Sequence, residues 1–200
     1  MSRTVDHYCF LISPWTYLAS ERLDALARRT GATVNTKPID PMRTFAEMGG
    51  QPPAKRHPSR QRHRLAELER WSRHLGVAMN LEPAHFPADQ GLAARAVYAL
   101  GGADGSAPAR ALADAVLRAV WAEERDIADE ATLRALVDGI GEDGTATLER
   151  ARTEAMGELY RRTTDEAHGR DVFGAPTYVV DGELFWGQDR LDFLERRLAG

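Results

Sequence analysis

The stretch that decides the fold is the apolar run Tyr8-Cys9-Phe10-Leu11-Ile12 together with the residues that follow it, Ser13-Pro14-Trp15-Thr16. The run predicts a buried strand, and the next residues open a helical pattern. A strand that passes directly into a helix leaves unpaired backbone N–H groups at the helix start, where the positive end of the helix dipole also lies. Serine at the N-cap and proline at the first helical position are typical of such a junction.

The residues at positions 13 and 16 indicate what this helix start can hold. Thioredoxin-like redox proteins place a Cys-x-x-Cys pair at such a junction, because the field of the helix lowers the pKa of a thiol. This chain has Ser13 and Thr16 instead, so it has a location that stabilises a thiolate but no thiol there. We expect Ser13 to donate a hydrogen bond to the thiolate of a ligand, for which glutathione is the candidate. The alternative is a plain N-cap serine.

Composition excludes several classes of protein. Two hundred residues, 43% of them hydrophobic and 28% charged, suit one globular domain or one domain with a large insertion. The net charge of −4 gives no general attraction to nucleic acid or to an anionic membrane, and we expect neither as a partner. No segment approaches the roughly 20 apolar residues of a transmembrane helix, and the polar first six residues do not resemble a signal peptide.

The lone cysteine, Cys9, excludes an internal disulfide and fits a reducing cytoplasm, where we expect the protein to act. Because Cys9 lies inside the apolar run, we interpret it as a small buried residue rather than a nucleophile. The histidines lack metal-ligand spacing, and one cysteine cannot form a thiolate zinc site, so we expect no metal.

The order of predicted elements is strand, helix, strand, a long helical block, and then a hairpin with a final helix. Hydrophobic periodicity predicts a strand over 5–12, a helix over 14–30 that stops at Gly31, and a second strand over 32–39. Within 42–165 the pattern is helical, with segments around 65–75, 92–100, 107–123, 130–138 and 145–166. Asp181-Gly182 is a favoured two-residue turn between strands 177–180 and 183–186. These elements predict one α/β core, made from both chain ends, with a helical insertion.

Two C-terminal segments are candidates for ligand contacts. Pro176, in Gly174-Ala175-Pro176-Thr177, is either an ordinary proline at a strand edge or a cis-proline that turns the backbone of Ala175 toward a ligand. Free N–H groups in Trp186-Gly187-Gln188-Asp189-Arg190 predict an anion pocket between the hairpin and the last helix. Asp189 there is either an N-cap or a partner for an ammonium group.

A basic stretch over 55–64 is the remaining charged feature. Such a run is usually a solvated face, and it lacks the interleaved aromatic residues that base stacking needs. One or two of its cations could hold a substrate carboxylate, and Lys37 is a weaker candidate for the same role.

These motifs together resemble those of the 2-hydroxychromene-2-carboxylate isomerases, which belong with the kappa-class glutathione transferases and the DsbA-like branch of thioredoxin folds. The resemblance rests on residues 12–19, 172–177 and 184–191 and extends through the helical block, so it runs nearly end to end. It implies an α/β fold in which a thioredoxin-like domain carries an inserted all-helical domain. Residues 1–41 and 166–200 would form the glutathione-binding domain, and 42–165 the insertion that covers the substrate side.

The resemblance also implies a function and a set of roles. The function is a glutathione-dependent cis-trans isomerase of 2-hydroxychromene-2-carboxylate-like aromatic keto acids, in which the thiolate of bound glutathione adds to the substrate and then leaves. Ser13 is implied as the catalytic residue, and a homodimer as the assembly. The implied glutathione contacts are Ser13, Ala175, Pro176, Trp186, Gly187, Gln188 and Asp189. The candidate substrate contacts are Lys37, Gly50 and His85.

Three positions depart from the family pattern. Phe10 stands where the family often has Asp, Gly49-Gly50 where it often has Gly-Asn, and His63 where a Tyr is common. The replaced Asn belongs to the substrate side, so these differences concern the choice of substrate more than glutathione binding.

Two other functions stay open at this point. One is a kappa-like glutathione transferase or peroxidase that uses the same pocket. The other is a non-catalytic module that binds an acidic partner or nucleic acid through residues 55–64. Dithiol oxidoreductase activity is excluded, because the exchange needs two cysteines.

Overall fold

The computed structural model describes residues 3–200. Its strands are β1 (Thr4–Cys9), β2 (Thr33–Pro38), β3 (Thr177–Val180) and β4 (Glu183–Trp186). Its helices are α1 (Pro14–Thr30), α2 (Pro41–Glu47), α3 (Pro58–Leu75), α4 (Gly91–Ala99), α5 (Ala107–Trp121), α6 (Glu130–Gly139), α7 (Gly144–Ala151), α8 (Glu154–Gly169) and α9 (Leu191–Ala199).

The strands form one mixed sheet in the order β2-β1-β3-β4. β1 and β2 are parallel, with Val5 opposite Val34, whereas β1 pairs antiparallel with β3 and β3 with β4. The hairpin turn is the predicted one, and both of its residues have positive φ, 51° at Asp181 and 84° at Gly182. The sheet therefore combines the two chain ends, which confirms the predicted thioredoxin-like α/β fold.

β1 is shorter than the strand predicted over 5–12, and the reason is a turn at its end. After Cys9 the chain leaves the sheet, and the N–H of Ser13 donates to the carbonyl of Phe10 at 3.0 Å. The N–H of Leu11 donates instead to the side-chain oxygen of Gln90 at 2.8 Å. Residues 10–12 are therefore a buried connection that fixes how α1 begins.

The helical block differs from its prediction near residue 152. One helix was expected over 145–166, but α7 ends at Ala151 and α8 begins at Glu154. Thr153 is extended, with φ −64° and ψ 149°, and its hydroxyl donates to the carbonyl of Arg150 at 2.7 Å. This local hydrogen bond competes with the helix and separates the two segments. α8 then continues to Gly169, past the boundary predicted at 165.

The core lies on both faces of the sheet. On one face, α1 and α9 pack Leu23, Leu26 and Leu194 against Val5 and Tyr178. On the other side, the core of the helical block is continuous with the end of β1, because Cys9 and Leu11 belong to the same cluster as Trp121. Cys9 is completely buried, as predicted, and burial raises its pKa to about 12. Its thiol is therefore a packing group.

Arg110 of α5 crosses between the helical block and the thioredoxin-like core. Its Nε lies 2.9 Å from Oδ1 of Asp24 and 3.2 Å from Oδ2 of Asp114. Nη1 contacts Nδ1 of His7 at 3.1 Å, and Nη2 donates to the carbonyl of Ser20 at 3.0 Å. The guanidinium is thus bonded to β1 and α1 as well as to its own helix. It holds α1, which carries Ser13 at its start, in place against α5.

Replacing Arg110→Ala should lower the free energy of unfolding by about 3 kcal/mol, because it removes a buried guanidinium and leaves the half-buried carboxylates of Asp24 and Asp114 without their partner. Arg118→Ala is the matched control on the same helix. Arg118 is exposed and pairs with Glu123 at the surface, so its loss should cost less than about 1 kcal/mol. Urea denaturation of the three proteins measures both values, and equal losses would contradict the role of Arg110.

Candidate active site

Ser13 is the N-cap of α1, as the sequence predicts. Its φ of −81° and ψ of 125° are extended, and its Oγ accepts from the N–H of Thr16 at 3.3 Å. The hydroxyl hydrogen of Ser13 and the N–H of Trp15 have no acceptor among the described residues. The side of the helix start that borders the cavity therefore presents two donors, and the first turn contains no acidic residue that would compete for them.

An apolar cavity of about 800 Å³ opens beside Ser13. Its walls come from the turn after β1, from α2 and the loop that follows, from the loop before α4, from α8 and from the loop before β3. The large apolar side chains among its lining residues are Phe10, Ile12, Trp15, Met42, Phe45, Met48, Phe86, Tyr160, Phe173 and Trp186. This volume and lining suit an aromatic molecule of modest size.

A second cavity of about 580 Å³ adjoins the first and is more polar. Trp15, Ala175 and Trp186 border both cavities, so the two meet near the start of α1. Of the other predicted glutathione residues, Gly187, Gln188 and Asp189 line the second cavity, Ser13 lines only the first, and Pro176 lines neither. The structure therefore brings together at this junction the helix start, Ala175 and the segment after β4, which the sequence singled out separately.

The peptide bond between Ala175 and Pro176 is cis. The carbonyl of Pro176 accepts from the N–H of Gly187 at 2.9 Å, which ties this loop to the segment after β4. Neither backbone polar group of Ala175 has a protein partner among the described residues. The Ala175 backbone is thus available to an extended ligand at the cavity junction.

The segment after β4 forms a tight turn. Gly187 has φ 113°, a backbone conformation that residues with a Cβ rarely adopt, so this position favours glycine. The N–H groups of Gln188 and Asp189 have no acceptor in the described chain, which leaves two adjacent donors free for an anion. The Gln188 side chain, however, is buried and its Oε1 accepts from Arg22 at 2.7 Å. Asp189 caps no helix; its carboxylate accepts from Arg190 at 2.7 Å.

The basic stretch lies along the second cavity. Arg56, Arg60, His63 and Arg64 line it, and Arg56 and Arg64 border the apolar cavity as well. Sequence patterning alone favoured a solvated face for this stretch. The three-dimensional arrangement instead places a group of cations at the boundary between the two cavities.

The three candidate substrate residues lie in different places. Gly50 lines the apolar cavity, where a Cβ would lie 2.7 Å from the ring of Phe45, so the loop passes close to this ring. His85 does not line either cavity, although Phe86 next to it does; its ring nitrogen is 3.9 Å from the carboxylate of Asp126. The structure thus brings Gly50, but not His85, to the site.

Lys37 also lies away from both cavities. Its Nζ is 3.1 Å from Oδ1 of Asp6 and 2.9 Å from Oε1 of Glu166, and Tyr8 donates to the same Glu166 oxygen at 2.6 Å. The Lys37 side chain is 10% exposed and already has two anionic partners. These two ion pairs account for Lys37 as a structural residue, with no need for a substrate carboxylate.

Gln90, which the sequence analysis did not single out, holds the site together. Its Oε1 accepts from the N–H of Leu11, and its Nε2 donates to the carbonyl of Ile39 at 3.0 Å and to the hydroxyl of Tyr160 at 3.1 Å. It is 3% exposed and directly precedes α4. No local signal marks such a residue, because its partners lie 51 to 79 positions away in sequence.

The model of the DSBA-like thioredoxin domain matches residues 4–199. The chain belongs to this family. Among curated proteins, the 2-hydroxychromene-2-carboxylate isomerase of Sphingobium xenophagum is 37% identical over 99% of both chains. The enzyme of the same name from Pseudomonas putida is 35% identical over 98% of this chain and 94% of its own. Family membership therefore extends to the isomerase branch, and the chain is an enzyme.

Structural comparison agrees with this placement. A solved 2-hydroxychromene-2-carboxylate isomerase superposes with a TM-score of 0.82 and 32% identity, and it covers 98% of this chain and 94% of its own. Within residues 3–200, no group of three potential metal ligands converges. No helix in that part of the chain is long and apolar enough to cross a membrane.

Replacing Gln90→Leu should destabilise the fold by about 2–4 kcal/mol, because it leaves the buried N–H of Leu11 and carbonyl of Ile39 without partners. Asn80→Leu serves as the control, since the Asn80 amide bonds Glu124 at the surface. Thermal and urea denaturation measure the difference. If Gln90→Leu were no less stable than Asn80→Leu, the bridging role of Gln90 would be wrong.

Proposed function

We propose that the chain catalyses the glutathione-dependent cis-trans isomerisation of 2-hydroxychromene-2-carboxylate-like aromatic keto acids. The observation that carries the proposal is the pair of free donors at the start of α1, the Ser13 hydroxyl and the Trp15 N–H, beside an apolar cavity. A helix start with free donors stabilises an anion, and the lone cysteine, Cys9, is completely buried and cannot supply one.

The residues around the two cavities fit glutathione at its thiol, its peptide backbone and its γ-glutamyl end. The thiolate would accept hydrogen bonds from the Ser13 hydroxyl and the Trp15 N–H. The free N–H and carbonyl of Ala175 suit the peptide of an extended tripeptide. The N–H groups of Gln188 and Asp189 would bind the γ-glutamyl carboxylate, and the Asp189 carboxylate its ammonium group.

The chemistry that bound glutathione supplies is a thiolate that adds to a conjugated double bond and leaves again, which allows the bond to rotate in between. Ser13 keeps the sulfur in its charged form by donating a hydrogen bond to it. The apolar cavity holds the aromatic part of the substrate and excludes water, which strengthens the hydrogen bonds of Ser13 and Trp15. Gly50 and Phe45 form the wall at the position where the family often has Gly-Asn.

Calorimetric titration of glutathione tests the role of Ser13. The wild type should bind glutathione and release protons at pH 7, because the free thiol has a pKa of about 8.5 and is mostly protonated there. Ser13→Ala should weaken binding about tenfold and reduce proton release, since a hydrogen bond to a charged group is worth about 1.5–3 kcal/mol. Titration in two buffers of different ionisation enthalpy measures the protons.

Ser72→Ala is the control for this titration, because Ser72 lies on α3 outside both cavities and should bind glutathione as the wild type does. An assay with 2-hydroxychromene-2-carboxylate completes the test. Turnover that leaves the glutathione concentration unchanged supports isomerisation, whereas its consumption would indicate the transferase alternative. A wild type that neither binds glutathione nor turns over the substrate would sink the proposal.

A further inference from the structure

Arg64 of α3 is a half-buried cation without an anionic partner among residues 3–200. No carboxylate or carbonyl accepts a hydrogen bond from its guanidinium among residues 3–200, and its Nη2 atom is buried without any partner. Buried guanidinium groups in proteins are normally paired or hydrogen-bonded, because desolvation of an unpaired charge is costly. An unpaired one at a cavity therefore points to an anion that binds from outside the chain.

The surroundings of Arg64 fix its position. Its guanidinium carbon lies 5.5 Å from the ring centre of Phe86 and 6.0 Å from that of Trp121, so cation–π contacts hold it against the helical block. Arg64 borders both the apolar cavity and the polar one. It therefore faces the place where the aromatic part of a substrate would meet the bound thiol.

The charges nearby are engaged elsewhere. Of the carboxylates that line the polar cavity, Glu67 pairs with Arg70 and Asp189 pairs with Arg190. Burial lowers the pKa of Arg64, and the charge of the neighbouring Arg56 lowers it further, because the two cations repel each other. The carboxylates that border the apolar cavity are Asp40, which caps α2, and Asp89, which accepts from the N–H of Gly91 at 2.8 Å. Both are engaged with the backbone of their own helix start. An added carboxylate would relieve the repulsion between Arg56 and Arg64.

We propose that Arg64 binds the carboxylate of the substrate and so restricts the enzyme to unsaturated aromatic acids. This inference rests on the proposed function, because it names the group by which the same site selects its substrate. The planar guanidinium can bind a carboxylate through two parallel hydrogen bonds. Its location against Phe86, in the wall of the apolar cavity, favours the substrate over the glycyl carboxylate of glutathione as the source of that carboxylate.

A binding experiment with an inert probe tests Arg64 without turnover. Cinnamate, an unsaturated aromatic acid, is titrated calorimetrically into the glutathione-loaded protein, and neutral cinnamamide is titrated in parallel. Arg64→Gln should weaken cinnamate binding about tenfold or more and leave cinnamamide binding unchanged, because it removes a charge-assisted hydrogen bond. Arg64→Lys, which keeps the charge, should fall between the wild type and Arg64→Gln. Arg62→Gln is the control, since Arg62 is exposed on the same helix and lines neither cavity.

Kinetics and glutathione binding separate the two possible carboxylates. If Arg64 holds the substrate, Arg64→Gln raises KM about tenfold or more with a smaller change in kcat, and the Kd of glutathione is unchanged. A weaker Kd for glutathione with normal cinnamate binding would assign Arg64 to the glycyl carboxylate and overturn the proposal. Equal cinnamate binding by the wild type, Arg64→Gln and Arg64→Lys, each with a normal melting temperature, would overturn it as well.

These measurements also distinguish failure of the Arg64 inference from failure of the proposed function. A protein that binds cinnamate through Arg64 but binds no glutathione would retain the carboxylate site and lose the glutathione-dependent mechanism. A protein that binds glutathione and isomerises its substrate while Arg64→Gln is without effect would retain the mechanism and lose the present inference.

Discussion

The rest of the site depends on one buried amide, the side chain of Gln90. It bonds the backbone at two places where the chain leaves the sheet, at Leu11 after β1 and at Ile39 after β2, and it also reaches Tyr160 on α8. A polar group left unpaired at Leu11 or Ile39 would be costly, because both of these hydrogen bonds are buried. A single side chain from the inserted block thereby determines the path of residues 10–12, and that path determines where α1 begins. The helical block is thus a structural part of the thioredoxin-like core as well as its cover.

The two adjoining cavities suit different chemical groups. The polar one combines backbone donors after β4 with cations from α3, which suits a charged peptide-like molecule. The apolar one is bounded largely by aromatic rings and proline-rich loops, where few polar groups reach the interior. Charge and hydrophobic surface therefore meet along one boundary, which is lined by Trp15, Arg56, Arg64, Ala175 and Trp186. This arrangement allows an anion to be stabilised next to a water-poor volume, where each hydrogen bond to it is stronger.

How much of the structure could be predicted from the sequence depended mainly on how far apart in sequence the interacting residues lie. The junction at Ser13 and the turn at Asp181-Gly182 depend on neighbours in sequence, and both lie as predicted. The end of β1, the exclusion of Lys37 from the cavities and the role of Gln90 depend on contacts between residues that are distant in sequence, which periodicity does not report. The break between α7 and α8 is a local effect that apolar spacing conceals, because Thr153 interrupts the backbone without interrupting the pattern. The basic stretch over 55–64 has an ordinary surface composition, and its place beside the cavities emerges only when α3 is packed.

The burial of Cys9 has a consequence for how the enzyme would respond to its surroundings. The Cys9 sulfur is completely buried and its pKa is raised to about 12. It therefore takes no part in exchange with disulfides or in reaction with peroxides in solution. If glutathione is the reactive thiol, as proposed, no cysteine of the polypeptide has to be reduced between turnovers. Oxidised thiol would be replaced by simple dissociation and rebinding, without a reductase acting on the protein. The activity would then depend on the current concentration of reduced thiol and would not depend on earlier exposure to oxidants.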